Sequence, residues 1–187
     1  YIDKSKIVKP VILPVPPEEK LHHLDLHNYI QKHFKSFVWP ALEIKNKCVE
    51  TKKAKESSEK KYDIVTFSKT QSFVQNYLTP ESPYKGLFLF HSVGSGKTCT
   101  AIASASKSFD ENDYSILWVT RHTLKEDIWK NMFEKICNMR IRDMIASGKK
   151  MPTSKSEQMA LLGKNWLQPI SYKQFTNLIK GKNKYYQ

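Results

Sequence analysis

Residues 86–100 read GLFLFHSVGSGKTCT, an apolar run leading into a glycine loop that ends in Lys-Thr and continues into small residues. That order is what a triphosphate cradle needs. A buried strand fixes the loop, glycines let the backbone curl, and a helix N-terminus aims free N–H groups at an anion. Residues 86–90 are therefore predicted to be a buried strand and residues 98–109 a helix. Gly94 and Gly96 can take backbone angles closed to other residues. Lys97 would reach the β- and γ-phosphate oxygens, and the Thr98 hydroxyl would ligate Mg²⁺. Ser92, Val93, Gly94, Ser95, Gly96, Lys97, Thr98 and Cys99 form the candidate site for ATP and Mg²⁺, with Lys97 and Thr98 closest to the chemistry.

The rest of the chain reads as a further alternation of strand and helix. Residues 71–78 look helical and stop before Pro80. A polar turn at 110–114 precedes a second apolar strand at 115–120, SILWVT. A helix over 124–137 follows, with Leu124, Ile128, Phe133 and Ile136 facing inward. Residues 141–146 and 158–162 suggest shorter helices around a Lys-rich loop at 148–156. A third strand at 170–172 leads into a helix at 173–179. Strands separated by helices of this length imply an α/β fold with a parallel sheet covered on both faces.

The first sixty or so residues differ. Pro10, Pro14, Pro16 and Pro17 force extended backbone, which reads as a strap on another surface. An amphipathic helix is expected around 20–37, ended by Pro40. Residues 45–61 are rich in Lys, Glu and Ser and read as a linker or exposed helix. Hence residues 1–61 are read as an extension and 62–187 as the first part of a nucleotide-binding lobe. The chain opens on Tyr1, which predicts that it lies within a longer polypeptide.

A hydrophobic share of 40% with 12% aromatics is enough for a real core in 187 residues. The net charge is +13, almost all from lysine, with Arg121, Arg140 and Arg142 the only arginines. Such a surface attracts phosphate backbones whatever their sequence, or simply keeps the chain in solution. Cys48, Cys99 and Cys137 are too few and scattered for a disulfide framework or a zinc site, which points to a reducing compartment. His22, His23, His27 and His33 lack the further ligands that would complete a metal shell. No apolar run approaches membrane-spanning length.

Counting back from Gly96, the usual first glycine of the loop is replaced by His91. With that replacement, LFHSVGSGKT resembles the superfamily 2 helicase-type ATPases of large cytoplasmic DNA viruses. These include the poxvirus nucleoside triphosphate phosphohydrolase I, the poxvirus early transcription factor small subunit, and asfarvirus and giant-virus relatives. The likeness runs over about residues 67–179 and is sharpest over 84–98. It implies a partial RecA-like lobe and, within FSKTQSFVQNYL, a glutamine that reads the adenine edge. Gln71 is the matching position, because an amide can pair with adenine N6 and N7 together, and Phe67 is a candidate stacking or packing neighbour. His91 fills a structural slot in this reading.

Downstream, SILWVTRHTLKEDIW resembles the family element in which a strand ends in a nucleic-acid-contacting turn. That assigns Thr120, Arg121, His122 and Thr123 to a DNA or RNA phosphate, at the sheet edge where α/β folds bind ligands. QPISYKQFTNLI is similar in the same way, with Tyr172 more at home packing the core. The resemblance further implies a transcription-associated ATPase of host cytoplasm and virion, with viral RNA polymerase or other virion proteins as partners. Hydrolysis also needs a carboxylate pair after a buried strand. Asp110-Glu111 follows a helix, so it does not fit, and the acidic box and second lobe are expected beyond this sequence. The competing reading is a scaffold or transcription-factor module that binds nucleotide without translocating. A small-molecule kinase fits poorly, because those enzymes keep the first loop glycine and lack the basic flank.

Overall fold

The computed structural model describes residues 13–40 and 66–181. Residues 1–12, residues 41–65 with all of the expected 45–61 linker, and the last six residues lie outside them, including Pro10 and Cys48. Helix α1 spans His23–His33 and closes on a 3₁₀ turn, Lys35–Phe37. Helix α2 is Lys69–Tyr77, started by a capping box in which Ser68 and Gln71 satisfy each other's backbone N–H groups. Helix α3, Lys97–Ser104, runs on as a π-helical turn, Ala105–Phe109. Strand β1 is Val119–Thr120, and a 3₁₀ turn, His122–Leu124, leads into α4, Lys125–Phe133. Helices α5 (Met139–Ala146) and α6 (Lys155–Leu162) follow, each begun by a side-chain cap, Asn138 and Ser154 respectively. Strand β2, Ile170–Ser171, and helix α7, Tyr172–Ile179, complete the order.

β1 and β2 pair in parallel, Val119 with Ile170 and Thr120 with Ser171. A further parallel bridge joins Ile116 to Trp166. The chain is thus a mixed α/β structure with a small two-stranded parallel sheet. The expected strand at 86–90 departs from this. It is extended but pairs with nothing among the described residues, and Phe88 and Phe90 are 84% and 86% exposed. The reason is neighbours. A strand hides an apolar run on both faces only when strands flank it and helices cover it, and the described residues place neither there.

The main core joins Cys99 and Ile102 of α3 to Ile128, Met132 and Phe133 of α4, with Ile136, Ile141, Leu162 and Trp166. Leu124, expected inward, is 42% exposed, because the chain there is a 3₁₀ turn set off from the α4 stripe. Ile136 lies past the helix, fully buried at φ +52°. Cys99 and Cys137 form a disulfide, with Cα atoms 5.1 Å apart. This corrects the expectation from cysteine spacing. The two are 38 residues apart, but α3 and the turn after α4 meet in one core, and sequence distance does not limit such a pair.

A second, aromatic cluster fastens the N-terminal residues to α2. Phe34 meets Phe73 and Tyr77 edge-on, at 5.2 and 5.7 Å between ring centroids. Tyr77 stacks on Phe73 and on Tyr84. Burial, with the neighbouring Tyr84 second, raises the Tyr77 hydroxyl's pKa. The Tyr84 hydroxyl accepts from the Leu21 amide at 2.9 Å, and Lys69 donates to the Ser36 carbonyl. Pro16 and Pro17 are buried, so these prolines of the strap are covered within this chain.

Candidate nucleotide site

The glycine loop is shaped by residues that tolerate its angles. Gly94 and Gly96 both sit at φ +82°, in the left-handed region. Gly96 caps α3 through its carbonyl, which accepts from the Thr100 amide at 2.9 Å and the Thr100 hydroxyl at 3.0 Å. No side chain caps this helix start, so the first-turn amides of Lys97, Thr98 and Cys99 lack intrahelical partners.

Lys97 folds back over the loop. Its Nζ donates to the carbonyls of His91 at 3.0 Å and Ser92 at 2.8 Å. The Ser92 carbonyl also accepts from the Ser95 hydroxyl at 2.8 Å. An arriving triphosphate would exchange these carbonyls for its own oxygens around the same ammonium.

Gln71, 25 residues upstream, is brought to the loop and is 6% exposed. Its Oε1 accepts from the Ser68 amide at 2.8 Å, and its Nε2 donates to the Gly96 carbonyl at 3.4 Å. The amide therefore links the α2 cap to the loop, and both its ends are engaged within the chain. Phe67 is engaged too. It lies 3.9 Å beneath the Arg142 guanidinium and packs on the main core. Burial, partly offset by Asp143, lowers the pKa of Arg142.

A Cβ on Gly96 would stand 2.7 Å from Gln71 Nε2, whereas one on Gly94 would meet open space. The backbone angle alone costs an L-residue about 1–2 kcal/mol. Gly96→Ala must also displace the buried Gln71 amide, adding about 1 kcal/mol for the lost bond. Urea unfolding is expected to show Gly96→Ala costing roughly twice as much as Gly94→Ala. Equal costs would mean that Gln71 does not press on the loop.

Between α2 and the loop lies an open cavity of about 330 Å³, lined by Trp39, Ser68, Thr70, Gln71, His91, Ser92 and Ser95. Trp39 was not anticipated from the sequence. It stands in the N-terminal extension, 31 residues before Thr70, to whose hydroxyl its indole Nε1 donates at 2.9 Å.

The second candidate cluster sits at the carboxyl end of β1. Arg121, His122 and Thr123 are exposed there, but Thr120 is 8% exposed and its side chain has little access to a ligand. Ser171 caps α7 through Gln174, which also accepts from Lys125, and Tyr172 is exposed. The expected core packing of Tyr172 is therefore not seen, because it occupies the first position of α7 on its outer side. Among the described residues no group of three or more His, Cys, Asp or Glu could hold a metal ion. No described helix is long and apolar enough to cross a membrane.

Comparison with known proteins gives short but consistent likenesses. The chain is 35% identical over 95 residues to an ATP-dependent RNA helicase, so named, of Acanthamoeba polyphaga mimivirus. That match covers 51% of this chain and 12% of the relative. A second mimivirus protein of the same designation is 36% identical over 62 residues, 33% of this chain and 8% of the relative. A helicase of Invertebrate iridescent virus 3 is 42% identical over 45 residues, 24% of this chain and 4% of the relative. The chain thus spans about an eighth or less of these relatives' length. They support a likeness to viral helicases at large and carry nothing specific to the poxvirus transcription factor. No family model matches the chain, and no solved structure matches it.

Proposed function

We propose that this chain is the ATP-binding portion of a superfamily 2 helicase-type ATPase of a large DNA virus. The observation that carries the reading is the junction of Gln71 with Gly96. Two elements 25 residues apart converge on one loop whose glycines are left-handed and whose lysine lies across it. The helicase designations of the viral relatives support the same reading. The loop amides and Lys97 bind the phosphates, and Thr98 offers its hydroxyl to Mg²⁺. Mg²⁺ would supply charge neutralisation between the phosphate oxygens. Gln71 holds the loop to α2 and lies beside the space a base would fill.

Arg121, His122 and Thr123 are the nucleic-acid contact in this proposal, with Thr120 supporting the turn from inside. A DNA- or RNA-driven motor, linked to transcription and packaged in virions alongside a viral RNA polymerase, is the wider role that fits. The host cytoplasm would be its place of work.

The test of the nucleic-acid half is salt dependence. Each neutralised phosphate adds roughly −0.7 to −0.9 to the slope of log affinity against log salt. Arg121→Ala is expected to flatten that slope by about one contact and weaken all sequences alike, measured by fluorescence anisotropy. ATP affinity should stay as it was, since Arg121 follows β1 and not the glycine loop. An unchanged slope would leave the charge of +13 as a solvated surface and favour the non-translocating scaffold.

A further inference from the structure

A second cavity lies one turn further along α2, built from residues that take no part in the nucleotide site. It holds about 370 Å³ and shares no wall residue with the cavity beside the glycine loop. One wall is the strap of residues 13–17, in which Pro16 and Pro17 are buried. The strap is pinned where the Tyr29 hydroxyl donates to the Val15 carbonyl at 3.2 Å. Pro14, Pro16 and Pro17 have no N–H, so this wall gives an occupant apolar contact and few donors. The other wall is polar, with Gln75 and Asn76 from α2 and Lys107 and Ser108 from the π-helical turn. Single π-helical turns are frequent at functional sites.

Two donors on that polar wall are short of acceptors. Gln75 is 4% exposed, and its Nε2 has no hydrogen-bond partner among the described residues. A buried amide N–H₂ without an acceptor is uncommon and destabilising. Lys107 is half-buried and donates to Asn76 Oδ1 at 2.7 Å. The Asn76 amide is fixed in turn by its own bond to the Ser72 carbonyl. An ammonium carries further N–H groups, which remain for a ligand. Burial lowers the pKa of Lys107, with Glu111 partly offsetting it. Glu18 and Glu81 border the cavity as well, but both are exposed, so water and salt screen them. An apolar wall faced by an ammonium and an unpaired amide N–H₂ suits an apolar body that ends in a charged acceptor. We propose that this cavity binds a small monocarboxylate, its oxygens bonded by Lys107 Nζ and Gln75 Nε2 and its apolar body lying along the prolines of the strap. A volume of about 370 Å³ is in the range of small-ligand pockets. Such a ligand bridges the strap, α2 and the end of α3, and its binding does not depend on the glycine loop.

The experiment is an NMR titration of the 187-residue chain with hydrocinnamate and with its neutral isostere hydrocinnamamide, following the side-chain amide signals of Gln75. Hydrocinnamate is expected to shift those signals saturably, and the neutral amide to bind at least about 10-fold more weakly. Lys107→Met should lower hydrocinnamate to the level of the neutral amide and leave the neutral amide's affinity as it was. Lys107→Arg, which keeps the charge, should stay within about 3-fold of the parent. The same spectra show whether each variant is folded, and the comparison of the two ligands on the parent chain needs no variant. Equal affinity for carboxylate and neutral amide would make the cavity a plain apolar hole and overturn the proposal. So would the absence of a saturable shift at Gln75 with millimolar hydrocinnamate, or parental affinity for it in Lys107→Met.

Discussion

Lys97→Ala is expected to weaken Mg·ATP binding by roughly 100-fold or more while leaving the fold intact. Each charge-assisted hydrogen bond from an ammonium contributes about 1.5–3 kcal/mol, and a cradled triphosphate offers at least two. About 1.4 kcal/mol corresponds to one decade of affinity. In the free chain the same ammonium bonds to the His91 and Ser92 carbonyls. Ser92 is exposed and His91 half-buried, so water can replace the lysine there at little cost to stability. The variant's melting temperature should accordingly stay within about 2 °C of the parent's, by the usual conversion of stability into temperature. Calorimetric titration and thermal unfolding together separate the two effects. A variant that lost binding only because it unfolded would show it in the second measurement.

Ile102→Ala is expected to have the largest effect on stability. Ile102 is fully buried in α3, in one core with Cys99, Ile128, Met132 and Phe133. Truncating a buried isoleucine to alanine costs about 2–5 kcal/mol, the upper part applying where surrounding helices cannot collapse into the space. The disulfide between Cys99 and Cys137 ties one wall of that space, which limits collapse. At about 2–4 °C per kcal/mol for a chain of this size, the melting temperature should fall by roughly 10 °C. Well below the transition ATP binding should change little, because the loop's hydrogen bonds lie before Ile102 in α3. A fall of less than about 2 °C would mean that α3 is not seated in this core.

The parts of the fold legible in the sequence were those decided by neighbours along the chain. The helices expected at 71–78, 124–137, 141–146 and 173–179 fall on α2, α4, α5 and α7, because their turns follow from spacing of a few residues. The parallel sense of the sheet followed from apolar runs separated by helices, whereas the pairing of 119–120 with 170–171 did not. The glycine loop was legible for the same reason, since its angles demand glycine at 94 and 96 wherever the chain goes.

What escaped depends on contacts between distant residues. Nothing local marks Trp39 as a neighbour of Gln71, because the aromatic cluster of Phe34, Phe73 and Tyr77 brings them together. The disulfide escaped for a like reason, its two halves meeting only across the core. Residues 86–90 were overread in the opposite direction. Their apolar pattern states what the segment needs, and the described residues do not supply it. Gln71 lies between the two cases. Its approach to the loop was legible, but the engagement of its amide with Ser68 and Gly96 was not.

The central claim is that the amides at the start of α3 hold a triphosphate. Hydrogen exchange at single-residue resolution reads it directly, because Lys97, Thr98 and Cys99 begin the helix without intrahelical partners. With saturating Mg·ATP, exchange at Lys97, Thr98 and Cys99 is expected to slow by about tenfold or more, the protection that a bond worth about 1.4 kcal/mol confers. Tripolyphosphate should protect the same amides, and Lys97→Ala should abolish the effect. Unaltered exchange at all three amides under saturating nucleotide would contradict the account.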